Sequence, residues 1–126
     1  MEKKSTLVIV DDDTYILKAI QRVLANGPYN IAAYADPKEA LQFIRENKVD
    51  LILSDFHMGS MTGFDLFAAC DNINKTAVRL LMTGTPDASL EVNRLSSLKI
   101  EKVIFKPWDN DTFCKTIAQA LSVGPA

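Results

Sequence analysis

Three consecutive carboxylates, Asp11-Asp12-Asp13, follow the apolar run Thr6-Leu7-Val8-Ile9-Val10, and a single carboxylate, Asp55, ends the run Leu51-Ile52-Leu53-Ser54. Thr83 closes Arg79-Leu80-Leu81-Met82, and Lys106 follows Lys102-Val103-Ile104-Phe105. Carboxylates that converge at close range repel, and a hard divalent cation with oxygen ligands relieves the repulsion; magnesium takes one or two carboxylates and keeps several waters. Asp12 and Asp55 are the candidate direct ligands, with Asp11 nearby. A carboxylate is also a nucleophile toward a phosphoryl group. A metal ion and the Lys106 ammonium would spread the developing charge, and the Thr83 hydroxyl can donate to a phosphoryl oxygen. Singly, these residues read as ordinary turn and cap residues. Their coincidence is the signal.

For these groups to meet, the preceding runs must be parallel strands of one sheet, which puts their C-terminal ends on one rim. Thr6–Val10 is continuously apolar and β-branched, as a strand covered on both faces would be. Ile16, Leu17, Ile20, Val23 and Leu24 recur at helical spacing, and Asn26-Gly27-Pro28 supplies a stop in which Gly27 can take the left-handed turn and Pro28 cannot continue the helix. Ile31–Tyr34 is a second, weaker strand pattern. Asp36-Pro37-Lys38-Glu39 opens a helix with a capping Asp, a Pro in the first turn and a Glu three after the cap. Ala40, Leu41 and Ile44 form its buried stripe, and Asn47-Lys48 ends it. After Asp55, a loop containing Gly59 and Gly63 leads into a helix with Phe64, Leu66, Phe67 and Cys70 at helical spacing. Asp87–Leu98 is the least regular helix because of its Ser and Asn content. Asp109 or Asn110 can cap a last helix striped by Phe113, Ile117, Ala120 and Leu121. Five alternations predict an α/β fold, a single doubly wound five-stranded parallel sheet with right-handed crossovers. Residues 1–126 are read as one domain, with 1–5 and 124–126 as tails.

The chain has 126 residues, 48% of them hydrophobic, enough for one ordinary core. Fourteen basic against sixteen acidic side chains give a net charge of -2, and no Lys/Arg run tracks a phosphate backbone, so no direct nucleic-acid binding is expected. The apolar stretch before Asp11 is too short for a signal-peptide core or a membrane span, which predicts a cytoplasmic protein without a membrane partner. Cys70 and Cys114 stand far apart in apolar helical patterns with no second Cys or His beside them. They are expected to be buried, inert thiols rather than a redox pair or zinc site.

The ordered set Val10-Asp11-Asp12, Asp55, Thr83-Gly84 and Lys106-Pro107 resembles the receiver domains of two-component response regulators, the CheY-like superfamily, over essentially the whole chain. The resemblance implies a flavodoxin-like (βα)5 sheet with strand order 2-1-3-4-5. It implies that Asp55 accepts a phosphoryl group from a sensor histidine kinase or phosphotransfer protein. Mg²⁺ would be held by Asp12, Asp55 and the backbone carbonyl of His57, with Asp11 acting mainly through water, while Thr83 and Lys106 engage the phosphoryl oxygens. Such a protein is a phosphorelay switch acting on an output domain or separate target. It is not an enzyme beyond its own phosphoryl transfer and dephosphorylation.

Some positions depart from that pattern. Receivers usually have Met-Pro after the phosphoacceptor, whereas this chain has Met58-Gly59, and Gly frees a backbone that Pro would restrain. Three residues before Lys106, where many receivers carry a Tyr or Phe that swings inward with the Thr, stands Val103. Phe105 lies on the same strand face at a different height. Gly59 and Val103 are therefore candidate signal-transmission positions. His57, the only histidine, and Thr85 occupy positions that in receivers influence the lifetime of the acyl phosphate. Asp13 reads as a solvated neighbour or helix-start residue. Trp108 is expected to be packing, yet Pro107-Trp108-Asp109 resembles receivers attached to cyclic-dinucleotide phosphodiesterase or related output domains. Two other classes compete. A receiver-like interaction module working without phosphorylation would suit Gly59 and Val103, but the complete set Asp11, Asp12, Asp55, Thr83 and Lys106 argues against it. A haloacid-dehalogenase-type phosphohydrolase needs Asp-x-Asp-x-Thr/Val after its first strand, and Asp11-Asp12-Asp13-Thr14-Tyr15 fails at the last position. The chain also lacks that class's later acidic pair and room for its cap.

Overall fold

The computed structural model describes residues 4–84 and 92–123. Strands and helices alternate as β1 (Ser5–Val10), α1 (Thr14–Val23), β2 (Tyr29–Tyr34), α2 (Pro37–Glu46), β3 (Leu51–Asp55), α3 (Gly63–Cys70), β4 (Val78–Thr83), α4 (Val92–Ser97), β5 (Ile100–Phe105) and α5 (Asn110–Val123). All strand pairs are parallel, and the order across the sheet is β2-β1-β3-β4-β5. This is the flavodoxin-like α/β sheet, with β3 at its centre between β1 and β4.

The inner strands are apolar throughout because helices cover them on both faces. Leu7 through Val10, Leu51 through Leu53 and Leu80 through Met82 have no solvent exposure. On one face Leu7, Ile9, Leu53, Leu80 and Met82 pack with Leu17 and Ile20 of α1 and with Phe113 and Ile117 of α5. On the other, Val8, Val10, Ile52 and Leu81 pack with Ala40 and Ile44 of α2, with Leu66, Phe67 and Cys70 of α3, and with Leu98. Strand alternation thus divides one sheet between two apolar layers.

Short polar side chains start the helices where the sequence places them. Asp13 caps α1 by accepting from Tyr15 N (2.9 Å), Asp36 caps α2 by accepting from Lys38 N (2.9 Å), and Asp109 caps α5 by accepting from Thr112 N (2.9 Å). The start of α3 carries a capping box that the sequence pattern did not single out: Thr62 accepts from Asp65 N, and the Asp65 carboxylate accepts from Thr62 N.

Several expectations are corrected. Ser5, expected in a tail, begins β1: its N–H donates to Pro28 O (3.1 Å) and it pairs with Tyr29. The edge strands β2 and β5 start two residues before the runs Ile31–Tyr34 and Lys102–Phe105, since ladder pairing recruits Tyr29 and Asn30 opposite β1 and Ile100 opposite Arg79, with Glu101 passed over where the register shifts. Gly27 does not take a left-handed conformation; among the described glycines only Gly59 has positive φ. A side chain at Gly27 would instead meet the Tyr29 ring at 2.5 Å. Cys70 is fully buried, and burial pushes its thiol up to about 11, whereas Cys114 is only partly buried and points its thiol at Val23 O (3.8 Å). The earlier part of the Asp87–Leu98 pattern lies outside the described residues, as do Thr85 and the tail positions 1–3 and 124–126. No helix among the described residues is long and apolar enough to cross a membrane.

Gly63 fixes how α3 meets the sheet. A Cβ there would lie 2.6 Å from Leu81 Cδ1 and 2.8 Å from the Asp55 carbonyl oxygen, so α3 approaches the end of β3 more closely than any side chain allows. Gly63→Ala should cost about 1–3 kcal/mol through overpacking, read as a lower urea midpoint at unchanged m-value. An unchanged midpoint would show that the approach is not tight.

Candidate functional site

The C-terminal ends of β1, β3, β4 and β5 share one rim, and the side chains just beyond them converge. Asp11 follows β1, its backbone held by donation to Tyr34 O (3.2 Å). Its Oδ1 accepts from Asp13 N (2.9 Å) and its Oδ2 from Lys106 Nζ (2.7 Å). The same ammonium lies 3.0 Å from Asp55 Oδ1. Carboxylate oxygens of Asp11, Asp12 and Asp55 lie within 4.8 Å of one another. Asp11 is fully buried, Asp55 is 8% exposed and Asp12 faces solvent. Thr83, 2% exposed, ends β4, and its carbonyl accepts from Lys106 N (2.8 Å), tying the ends of β4 and β5 together.

Burial pushes the Asp11 carboxyl above its ordinary value; the Lys106 and Asp13 hydrogen bonds oppose this, and the Asp55 charge adds to it. Burial acts on Lys106 in the other direction, pulling its pKa down. The hydrogen bonds and charges of Asp11 and Asp55 outweigh that pull, and Lys106 is raised and stays an ammonium. Three carboxylates thus face one cation, which leaves negative charge for a further one. The donors are hard oxygens, close enough to share an ion, with one carboxylate open to water, and this set fits Mg²⁺.

The segment between β3 and α3 folds back on itself. Phe56 N donates to Met82 O (2.9 Å), Met58 N to Met61 O (3.2 Å) and Gly63 N to Phe56 O (2.8 Å), while His57 and Thr62 form an isolated antiparallel bridge. Gly59 turns this segment at φ 74°, with open space where a side chain would be. Conformation, not crowding, selects glycine here, and proline, locked near φ −65°, could not adopt the turn. Ser54, fully buried and not singled out from the sequence, donates to Asp55 O (2.9 Å) and lies 3.5 Å from Met58 Sδ. His57 is exposed, its ring meeting the Phe56 ring edge-on at 4.6 Å. Val103 is partly buried opposite Leu81, and Phe105, opposite Thr83, stays 49% exposed. Trp108 stacks on Phe113 at 4.7 Å and, with Ile16, Lys106 and Pro107, lines a cleft of about 410 Å³ beside the rim. The rim therefore gathers Asp11, Asp12, Asp55, Lys106 and the backbone of Thr83, while Val103 and Phe105 stand on the adjoining strand.

Comparison with known proteins agrees with this geometry. The family model described as "Response regulator receiver domain" matches residues 7–118. The transcriptional regulatory protein ZraR of Klebsiella oxytoca is 29% identical over 116 residues, covering 92% of this chain and 26% of that protein. The transcriptional regulatory protein YvrH of Bacillus subtilis is 32% identical over 110 residues, covering 85% of this chain and 45% of that protein. The chain thus spans between about a quarter and a half of these relatives. Among solved structures, the signal receiver domain of an HD domain-containing protein from Pseudomonas fluorescens superposes with a TM-score of 0.88 at 29% identity, covering 97% of this chain and 90% of that one.

The raised Asp11 pKa makes a signed prediction for the metal-free protein. Above the unfolded value, near 3.8, the folded state binds the Asp11 proton more tightly than the unfolded chain does. The associated stability is complete below that value and is lost as pH rises through the folded one. Asp11→Asn removes this loss, so in EDTA the variant should gain stability relative to wild type as pH rises from 4 toward neutrality. A difference independent of pH would contradict the assignment.

Proposed function

This chain belongs to the response regulator receiver family, and on that premise we propose that it is a phosphorylation-dependent signalling switch whose phosphoacceptor is Asp55. The observation that carries the reading is the Lys106 ammonium placed 3.0 Å from Asp55 Oδ1 and 2.7 Å from Asp11 Oδ2 on a rim of three carboxylates. A histidine kinase or phosphotransfer protein presents a phosphorylated imidazole. An Asp55 carboxylate oxygen forms a bond to phosphorus as the donor's N–P bond breaks. Lys106 is already seated against Asp55, so it can follow the charge onto the phosphoryl oxygens with little reorganisation. The Thr83 hydroxyl donates to another of those oxygens. Asp11, Asp12, Asp55 and the His57 carbonyl would hold Mg²⁺, which supplies positive charge to the transferring group. The chain catalyses its own phosphorylation and dephosphorylation and no other reaction. The transmission of that event to a target or output domain is the function, and an output of the cyclic-dinucleotide phosphodiesterase type rests on the Pro107-Trp108-Asp109 resemblance alone.

The phosphoacceptor reading is tested by incubating the chain with a small phosphodonor and Mg²⁺ and recording the intact mass. Wild type should gain one phosphoryl group and Asp55→Asn none. No gain in wild type, under conditions where a known receiver labels, would favour an interaction module that works without phosphorylation.

A further inference from the structure

With valine at position 103, an aromatic ring on β5 is not available there to carry a signal from the rim. The contacts of α3 offer another route. Its first residue, Gly63, sits against the backbone of the phosphoacceptor, with 2.8 Å from its Cβ position to Asp55 O and a 2.8 Å hydrogen bond from Gly63 N to Phe56 O. Any displacement of the Asp55–Phe56 backbone therefore reaches the first turn of α3. The next residue, Phe64, is 7% exposed and meets the Phe56 ring edge-on at 4.9 Å. The guanidinium of Arg94, on α4, lies over the Phe64 ring at 5.2 Å.

A second arginine holds the other end of the same helix pair. Arg79 of β4 is 2% exposed and lies 5.8 Å from the centroid of Phe67. It pairs with Asp71 (2.8 Å) and donates to Leu98 O (2.7 Å) and Asn74 O (3.3 Å). Lys99 takes φ 58°, the left-handed residue that ends the α4 turn immediately after the Leu98 carbonyl engaged by Arg79. Phe64, Phe67 and Asp71 stand at i, i+3 and i+7 on one face of α3 and just beyond its end. The two arginine contacts differ in strength. Arg79 is buried and multiply bonded, so it acts as a fixed point. Arg94 is exposed and, among the described residues, its guanidinium is held by one cation–π contact, whose loss shifts a two-state equilibrium by about two- to five-fold.

We propose that α3, through Phe64 and Arg94, relays phosphorylation of Asp55 to α4, which turns about the Arg79–Leu98 contact. The relay rests on the phosphoacceptor reading above. The unphosphorylated state keeps Arg94 on Phe64; a shift of the Asp55–Phe56 backbone moves Phe64 and loosens that contact, and α4 redistributes between two arrangements.

The test follows the α4 amides of isotope-labelled chain by NMR, with and without a small phosphodonor and Mg²⁺, while intact mass reports labelling of each sample. Phosphorylation should shift the amides of Arg94 through Ser97 in wild type. Arg94→Gln and Phe64→Leu should each move the unphosphorylated amides toward the phosphorylated positions, changing the ratio of states about two- to five-fold. The double variant should go no further than either single one, and Val103→Ala should leave the shift intact. If Arg94→Gln labels fully and its α4 amides match wild type in both states, the relay is overturned while the phosphoacceptor stands. A wild type that takes no phosphoryl group overturns both.

Discussion

Lys106 reaches two carboxylates at once, and the site depends on that contact. In the order β1-β3-β4-β5, the strand that delivers Lys106 is two steps from the strand of Asp55 and three from that of Asp11. At about 4.8 Å per step, a strand residue on β5 would stand roughly 10–14 Å from those acids. The bridge forms because Lys106 lies beyond the strand end, where Lys106 N bonds Thr83 O and the long side chain leans back over β4. Without it, a fully buried Asp11 would face Asp55 with no counter-charge, the situation in which buried ionised groups cost most.

The rim has room for more positive charge than Lys106 brings. One ammonium does not balance three carboxylates, and Asp12, the member open to water, is where an incoming hydrated ion can first be met. In the proposed phosphoryl transfer, that ion would add positive charge beside Asp55 to the charge Lys106 already supplies. The backbone beneath Asp55 is equally constrained, by Gly63 packed on its carbonyl and by the Ser54 hydroxyl bonded to it. Charge at the side chain and close packing at the backbone meet in a single residue, Asp55.

What the sequence made legible follows from burial. β1, β3 and β4 are covered on both faces, so their apolar runs end sharply where the rim begins, and Asp11, Asp55, Thr83 and Lys106 were visible as a set. The edge strands blur because pairing, not hydrophobicity, decides where Tyr29 and Ile100 enter the ladder. Asp13, Asp36 and Asp109 announce helices through local bonds only two or three residues long. Ser54 and Arg79 give no comparable sign. An arginine opening an apolar strand looks like a strand end, and its partners Asp71, Asn74 and Leu98 lie five to nineteen residues away, joined to it only by the fold. The turn at Gly59 shows the same limit: Gly59 was legible as a departure from the pattern the chain resembles, but the positive φ that excludes proline belongs to the folded loop.

The proposed function requires the rim carboxylates Asp11, Asp12 and Asp55 to bind a divalent cation together. Urea unfolding across a Mg²⁺ titration tests it most directly, because an ion bound only by the folded state stabilises as RT ln(1 + [L]/Kd), about 2.7 kcal/mol at a hundred times Kd. The wild-type midpoint should rise with Mg²⁺, and Asp12→Ala, altered at an exposed position, should fold but lose that dependence. A wild-type midpoint indifferent to Mg²⁺, or an Asp12→Ala variant that responds as wild type does, would contradict it.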